Sequence, residues 1–412
     1  MSLTEPNLLF LAKSLSPAVL RVGGSEGDLV VYETPGKPCP FNTTFCLTMA
    51  RWAEINEFAA ATNLDIAFGL NAMSGRLNKT CPTCPWDSSN TADFLTYTAT
   101  KNWSTLKYLE FGNELTPFVA YETYAADVLV LRGLIDSLFT ENKPKLVAND
   151  ANPDVSYLQN ILTIAGDAID VATWHLYIGY GLDPKLSSEA WNSTFLGAIS
   201  KTANTIIGGV EKANFTGQLW VGESALAWHS GREGVTDTFL SSAWWLSALG
   251  GLSATHDGFC RQTLMGGNYE LVNKTTKMPN PDYYVARLFK DAMGARVLAA
   301  NSSTELVHAF AHCSDGPEGG VTLAWINFGT SDVTAIVSGV GANAPRAERT
   351  VTRAQPNDDT AIALNGIRLT YIPGSNQLPS LDPKVVTDAT PLILPAHSLG
   401  FTTFLNKDNI CQ

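Results

Sequence analysis

"LKYLEFGNE", residues 106–114, opens as a buried strand and closes on polarity: Leu106, Tyr108, Leu109 and Phe111 give way to Gly112, Asn113 and Glu114. An apolar run of this length, bounded by a turn signal, fits a strand covered on both faces. Its ending is either a polar turn or the C-terminal end of a barrel strand, where barrels place their chemistry. A second stretch closes the same way: "QLWVGES", residues 218–224, ends on Glu223.

Working outward, similar runs recur as "AVLRVGG" (18–24), "LDIAFGLNA" (64–72), "KLVAND" (145–150), "AIDVATWHLY" (168–177) and "DGFCRQTL" (257–264). Helix-period segments lie between them at 51–62, 121–139, 155–165, 194–213, 236–249 and 282–293. Strand–helix alternation implies a parallel sheet with helices outside, here a (β/α)8 TIM barrel. Seven strands are legible; "NLLFLAKSL" reads as the helix before the first, so the eighth strand is expected ahead of Met1. After residue 295 the period changes to short alternating runs, "LVHAFAHC", "GVTLAWINF", "VTAIVSGV", "AIALNGIRLTYI" and "HSLGFTTFL". These predict a C-terminal antiparallel β-sandwich, with the catalytic barrel at 1–295 and the sandwich at 296–412.

The chain has 412 residues and a formal net charge of −12, with 27 basic residues against 39 acidic. That balance, without any basic run, excludes nucleic acid as a partner and disfavours a highly sulfated polyanion. No apolar stretch reaches the roughly 20 residues of a membrane span; peripheral membrane association stays open, and a monomer is expected. The start, "MSLTEPNLLFLAKSL", lacks the form of a secretory signal. Seven Asn-x-Ser/Thr sequons, at Asn42, Asn78, Asn102, Asn192, Asn214, Asn273 and Asn301, lean weakly toward secretion. The seven cysteines lean the same way. Cys39, Cys46, Cys81 and Cys84 read as local disulfides or free thiols before a zinc site, given their Pro-rich surroundings and uneven spacing. The odd count leaves one thiol unpaired, and Cys260 in an apolar strand is the candidate. No cofactor or metal is expected.

Glu114 and Glu223, on the fourth and seventh strands of an eight-stranded count, would face each other across the barrel mouth. Two carboxylates flanking one bond suit glycoside hydrolysis: one protonates the departing oxygen, the other attacks or activates water. Asn113 beside the acid can hydrogen-bond a sugar hydroxyl. In "WHLY", His175 and Tyr177 would point the same way, where one could hydrogen-bond a carboxylate. "CRQTLMGGNYELVN" (260–273) places Gln262 at a strand end, with Gly266, Gly267, Asn268 and Tyr269 in the following loop. The Gly pair admits close approach of a ligand or a plain turn. "RVGGSEGD" (21–28) lacks the Gly-Lys-Ser/Thr ending of a phosphate loop, so nucleotide binding is rejected.

With "SPAVLRVGGS", "IAFGLNA", "WDSSNTADFLTYT", "EFGNEL", "TWHLY", "WVGES", "CRQTLMGGNYELVN" and "LPAHSLGFTTF", the chain resembles the heparanase-like β-glucuronidases of glycoside hydrolase family 79, nearly end to end. The resemblance implies retaining cleavage of β-linked glucuronic acid, with a heparanase- or hyaluronidase-like endo-enzyme and a non-catalytic carbohydrate-binding relative as alternatives. It implies Glu114 as acid/base, Glu223 as nucleophile, and Asn113, His175, Tyr177 and Ser25 as sugar-lining residues. It gives Tyr269 and the backbone after Trp228, at His229 and Ser230, the task of holding the glucuronate carboxylate. Trp228 departs from the family's usual tyrosine. The resemblance also pairs Cys313 with Cys411 and implies a secreted or lysosome/vacuole-like setting.

Overall fold

The computed structural model describes residues 2–76, 81–315, 319–340, 345–387, 389–405 and 411; the sequon at Asn78 lies outside them. Seven parallel strands form one sheet in chain order: β1 Val19–Val22, β2 Asp65–Leu70, β3 Leu106–Phe111, β4 Lys145–Ala148, β5 Val171–Tyr180, β6 Gln218–Trp228 and β7 Gly258–Arg261. The ladder runs without crossover, as in a barrel wall. Val19 through Val22 pair with Asp65 through Phe68, and Glu110 sits between Gly69 and Val147. These strands are near-continuous Val, Ile, Leu and aromatic runs because helices cover the outside of a parallel sheet.

The helices are α1 Pro6–Ser14, α2 Met49–Thr62, α3 Ser89–Lys101, α4 Tyr121–Leu138, α5 Val155–Ala165, α6 Leu186–Glu189, α7 Ser193–Lys212, α8 Phe239–Leu252 and α9 Pro281–Ala292. Their ends follow local chemistry. Thr48 and Asp154 accept backbone N–H groups at the starts of α2 and α5, while Asn63 and Asn102 close α2 and α3 with φ of 53° and 48°. α3 escaped the sequence reading because "SNTADFLTYTATK" buries only Thr91, Phe94, Leu95 and Thr98, a thin and half-polar stripe.

The chain divides into two compact units. The first comprises Met1–Leu176, Thr202–Ser224 and Thr255–Arg261; the second comprises Tyr177–Lys201, Ala225–Ala254 and Gln262–Gln412. In the first, Val147, Val171 and Trp220 form a buried cluster with Val19 and Tyr108 against it. A short parallel pair, Val30–Tyr32 with Phe45–Leu47, is stapled by a Cys39–Cys46 disulfide. A second local disulfide joins Cys81 to Cys84, and Cys260 is free. The zinc alternative for the four N-terminal cysteines gives way to the local disulfides.

The second unit holds the antiparallel strands: β8 Val297–Leu298, β9 Val307–Cys313, β10 Val321–Asn327, β11 Val333–Ala335, β12 Arg346–Gln355, β13 Asp358–Leu364, β14 Ile367–Arg368, β15 Lys384–Val386, β16 Leu392–Leu394 and β17 Ser398–Phe404. The larger sheet runs β8-β9-β10-β17-β12-β13-β14, with β15 also on β12; β11 and β16 form a separate pair. Val307, Trp325 and Phe404 from the larger sheet pack with Leu392, Leu394, Val333 and Ala335 from the pair, which makes the sandwich core. Cys313 is bonded to Cys411.

"VTAIVSGV" yields only the three residues of β11. The strand beside β17 is instead "RAERTVTRAQ", too polar to be legible, in which Arg346 and Arg349 are themselves buried. Helix α8 is buried on nearly every face, and Ser241 and Ser242 donate to the Asp282 carboxylate at 2.9 and 2.8 Å. A helix apolar all round needs cover all round.

Candidate active site

Three residues after β3 set the first carboxylate. Gly112 has φ +72°, and a Cβ there would lie 2.5 Å from Leu115 Cδ1 and 2.8 Å from Ala72 Cβ, so the turn admits only glycine. The Asn113 N–H donates to Asp28 Oδ2 at 2.9 Å, and Asp28 Oδ1 accepts from the Ala72 N–H at 3.0 Å. Glu114 has φ 52°, a conformation that costs a non-glycine residue on the order of 1–3 kcal/mol. Its N–H donates to the Asp150 carbonyl at 2.6 Å, which holds it there. The side chain then reaches His175, with Oε1 2.8 Å from Nδ1.

Glu223, midway along β6, is held by a residue of β1. Arg21 Nη1 donates to Glu223 Oε2 at 2.6 Å. The same guanidinium donates from Nε to both Glu110 oxygens at 2.9 and 3.2 Å, and from Nη2 to Glu110 Oε1 at 2.7 Å. Nη2 also reaches Asn113 Oδ1 at 2.8 Å and Asp150 Oδ2. His175 Nε2 lies 2.8 Å from that same Asp150 oxygen. One oxygen from Glu114, one from Glu223 and a His175 ring nitrogen all fall within 4.8 Å of one another. His175 is fully buried, the Glu223 side chain is 12% exposed and that of Glu114 33%.

The charges explain one another. Burial alone would strip the His175 proton, but the Asp150 charge 2.8 Å away, with Glu114 and Glu223, raises its pKa to about 10. Burial raises the Glu110 carboxyl to about 8 against the pull of Arg21, and the neighbouring Asp150 charge adds to the rise. Asp150 is buried too, yet Arg21 and His175 hold it well below the usual carboxylate range. Arg21 stays charged because Asp150, Glu110 and Glu223 outweigh its desolvation. The negative charge of the cluster is thus met inside the protein by one guanidinium and one imidazolium.

Each sequence-predicted residue can now be placed. Asn113, Glu114, His175 and Glu223 come together with Ser25, whose Oγ accepts from Asn113 Nδ2 at 3.2 Å. In the second unit, Tyr177 donates its hydroxyl to Gln262 Oε1. Trp228 is 51% exposed and stacks on Tyr180 with centroids 4.3 Å apart and an interplanar angle of 25°. His229, Ser230 and Gly231 follow with φ of 64°, 62° and 69°. The Asn268 N–H donates to the Ser230 carbonyl at 2.8 Å. The buried Tyr269 ring lies where a Cβ on Gly267 or Gly231 would come within 2.5 and 2.9 Å of it. Those two glycines therefore make room for the ring.

Four residues escaped the sequence reading: Arg21, Asp28, Glu110 and Asp150. The signal was present. A charge inside an apolar strand, as in "AVLRVGG" or "YLEF", must find a buried partner. "RVGGSEGD", set aside as a false phosphate loop, contributes Arg21, Ser25 and Asp28 to this site.

Residues 1–250 match the model of "Glycosyl hydrolase family 79, N-terminal domain". Heparanase-like protein 1 of Arabidopsis thaliana is 38% identical over 366 residues, covering 82% of this chain and 67% of that protein. The baicalin-beta-D-glucuronidase of Scutellaria baicalensis is 31% identical over 431 residues, covering 94% and 81%. Among solved structures, a 4-O-alpha-L-rhamnosyl-beta-D-glucuronidase from Fusarium oxysporum superposes with a TM-score of 0.71 at 16% identity, covering 97% of this chain and 91% of that one. At that identity the likeness is one of fold.

Proposed function

The chain belongs to glycosyl hydrolase family 79, and we propose that it is a retaining β-glucuronidase with Glu223 as nucleophile and Glu114 as acid and base. The observation that carries this reading is the approach of the two carboxylates: one oxygen of Glu114, in the turn after β3, and one of Glu223, midway along β6, lie within 4.8 Å. Retaining enzymes need carboxyl groups about 5–5.5 Å apart, whereas inverting ones leave a wider gap for water. In the first step Glu223 attacks the anomeric carbon while the Glu114 proton goes to the departing oxygen. The glycosyl ester on Glu223 then yields to a water whose proton returns to Glu114, releasing the sugar with its starting anomeric configuration.

Arg21 directs Glu223 through its 2.6 Å hydrogen bond, and His175 orients Glu114. Asn113 presents its Nδ2 side, since Oδ1 is committed to Arg21. Ser25, Tyr177 and Gln262 complete the sugar-lining set. Tyr269, with Gly267 beside it, and the N–H groups of His229 and Ser230 take the glucuronate carboxylate. Three consecutive positive φ values at 229–231 support that role, because such turns gather backbone N–H groups into an anion-binding concavity. Neutral donors bind the carboxylate without placing a full positive charge beside the cationic transition state.

Trp228, on the strand that carries Glu223, stacks on the aglycone. Its exposed face and the chain's charge of −12 favour small phenolic glucuronides or lightly charged glycans over sulfated polyanions. Three disulfides support a secreted or lysosome/vacuole-like setting. The division of labour in this reading is a catalytic barrel over 1–295 and a sandwich over 296–412.

The test is a hydrolysis panel with one aryl leaving group on β-glucuronide, β-glucoside and β-galactoside. Turnover of the glucuronide alone is expected. Equal turnover of the glucoside would remove the acid-sugar assignment, and none on any substrate would remove the glycosidase.

A further inference from the structure

We infer that Asp150, at the end of β4, is a positioning residue that couples the two catalytic glutamates through one carboxylate oxygen. The inference rests on the assignment of Glu114 and Glu223 above. Asp150 Oδ2 faces His175 Nε2 at 2.8 Å and also accepts from Arg21 Nη2. The other imidazole nitrogen meets Glu114 Oε1 at 2.8 Å, and the other guanidinium nitrogen meets Glu223 Oε2 at 2.6 Å. The oxygen is therefore two contacts from each catalytic carboxylate, through imidazole on one side and guanidinium on the other.

The backbone of the same residue serves the same end. The Asp150 carbonyl accepts the Glu114 N–H at 2.6 Å, and the adjacent Ala151 carbonyl accepts the His175 N–H at 2.7 Å. Gly222, immediately before Glu223, leaves the space: a Cβ there would lie 2.0 Å from Asp150 Oδ1. Any side chain at 222 would push the carboxylate off both partners.

The ionisable groups acting on this cluster are Arg21 on β1, Glu110 and Glu114 on β3 and its turn, Tyr124 on α4, His175 on β5, Glu223 on β6 and Cys260 on β7. Tyr124 and Cys260 are neutral at ordinary pH, their burial raising both. With Glu110 protonated, Arg21 and His175 carry two positive charges against Asp150 and Glu223. These four charges balance when Glu114 holds a proton, the form a general acid requires, while Asp28 stands outside that count on the Asn113 and Ala72 N–H groups. Removing the Asp150 charge leaves Arg21 and Glu223 paired but takes from His175 one of the two carboxylates 2.8 Å from its ring. The imidazole then loses its second proton at lower pH than in wild type, and Glu114 loses a charged donor.

The experiment is histidine 15N NMR on the full chain across pH 5–10, with His175→Gln to assign the signal, on wild type and on Asp150→Asn. Expected is a doubly protonated His175 ring in wild type at pH 7.5 and a singly protonated one in Asp150→Asn. Alongside, kcat on an aryl β-glucuronide should fall roughly 10- to 100-fold, by analogy with loss of the carboxylate that orients a metal-ligating histidine. The basic limb of the pH profile should move to lower pH, which a merely structural role would not do. A neutral His175 in wild type at pH 7.5, or a ring still doubly protonated in Asp150→Asn, would overturn the coupling. Where Asp150→Asn does not fold, Gly222→Ala, which displaces the same carboxylate, should move the His175 titration in the same direction, and an unmoved titration there would overturn the coupling. The NMR result stands whether or not the protein cleaves glucuronides, so failure here and failure of the glucuronidase assignment are distinguishable.

Discussion

The ends of β1, β3, β4 and β6 differ from the segment Trp228–Gly231 in how they hold their functional groups. At the strand ends each charge answers another at a fixed distance: Arg21 alone meets Glu110, Asp150 and Glu223, and His175 lies between Asp150 and Glu114. The segment after Glu223 offers an exposed indole stacked on Tyr180 and three backbone units at positive φ, with no ion pair among its described residues. Preorganised charge suits a reaction whose transition state is the same for every aglycone. An open aromatic face and a backbone turn suit recognition, because they can be altered without disturbing the charged cluster. In the proposed reading chemistry and selectivity are thus built from different materials, and substitutions should separate them.

The largest effect is expected at Glu114. Glu114→Gln should lower kcat/KM roughly 10²- to 10⁴-fold on glucuronides with poor leaving groups and far less on activated aryl ones, where acid help matters least. Equal losses across a leaving-group series would break the assignment. Arg21→Met comes next and probes stability as well as rate. It leaves the Asp150 and Glu223 charges buried without their guanidinium and Glu110 without its donor, and unpaired buried charge costs about 3–5 kcal/mol. Denaturant unfolding that shows less than about 1 kcal/mol would mean that the network is not what holds the strand ends.

The pH dependence of stability sharpens the contrast further. His175, raised to about 10 from 6.5, contributes stability that is complete below pH 6.5 and lost as pH climbs through 10. Glu110, raised to about 8, binds its proton more tightly in the folded chain than unfolded, so stability also falls between pH 4.5 and 8. Asp150, lowered, contributes stability above its unfolded pKa that is lost only in strong acid. Thermal unfolding should therefore show greatest stability near pH 4–6 and a decline toward pH 10; a maximum above pH 8 would contradict the buried cluster. Trp228→Ala is expected to do least. The indole is half exposed, so stability should change by under about 0.5 kcal/mol. KM for a flat aromatic aglycone should rise about 3- to 10-fold, the worth of one stacking contact. An unchanged KM would detach Trp228 from recognition.

The barrel was legible because its strands are apolar on both faces and evenly spaced by helices. Glu114 and Glu223 stood out because a carboxylate is out of place in such a run, and the structure brings the two together, although the strand bearing Glu223 continues to Trp228. Asp150 closes "KLVAND" in the same way and was passed over, since an acid after Asn149 also reads as a turn. Arg21 and Glu110 lie inside their strands, where nothing local says that they pair with each other across 89 positions of sequence. β12 was illegible for a related reason: buried arginines look exposed in a linear reading. Packing partners distant in the chain, not local propensity, decide such residues.

The most direct measurement of the two-glutamate assignment is covalent trapping. Incubation with a 2-deoxy-2-fluoro-β-glucuronosyl fluoride, followed by peptide mass spectrometry, should find a single fluoroglucuronosyl group esterified to Glu223, with activity lost in step. An adduct on Glu114 or elsewhere, or a first-formed α-glucuronic acid product by NMR, would contradict it.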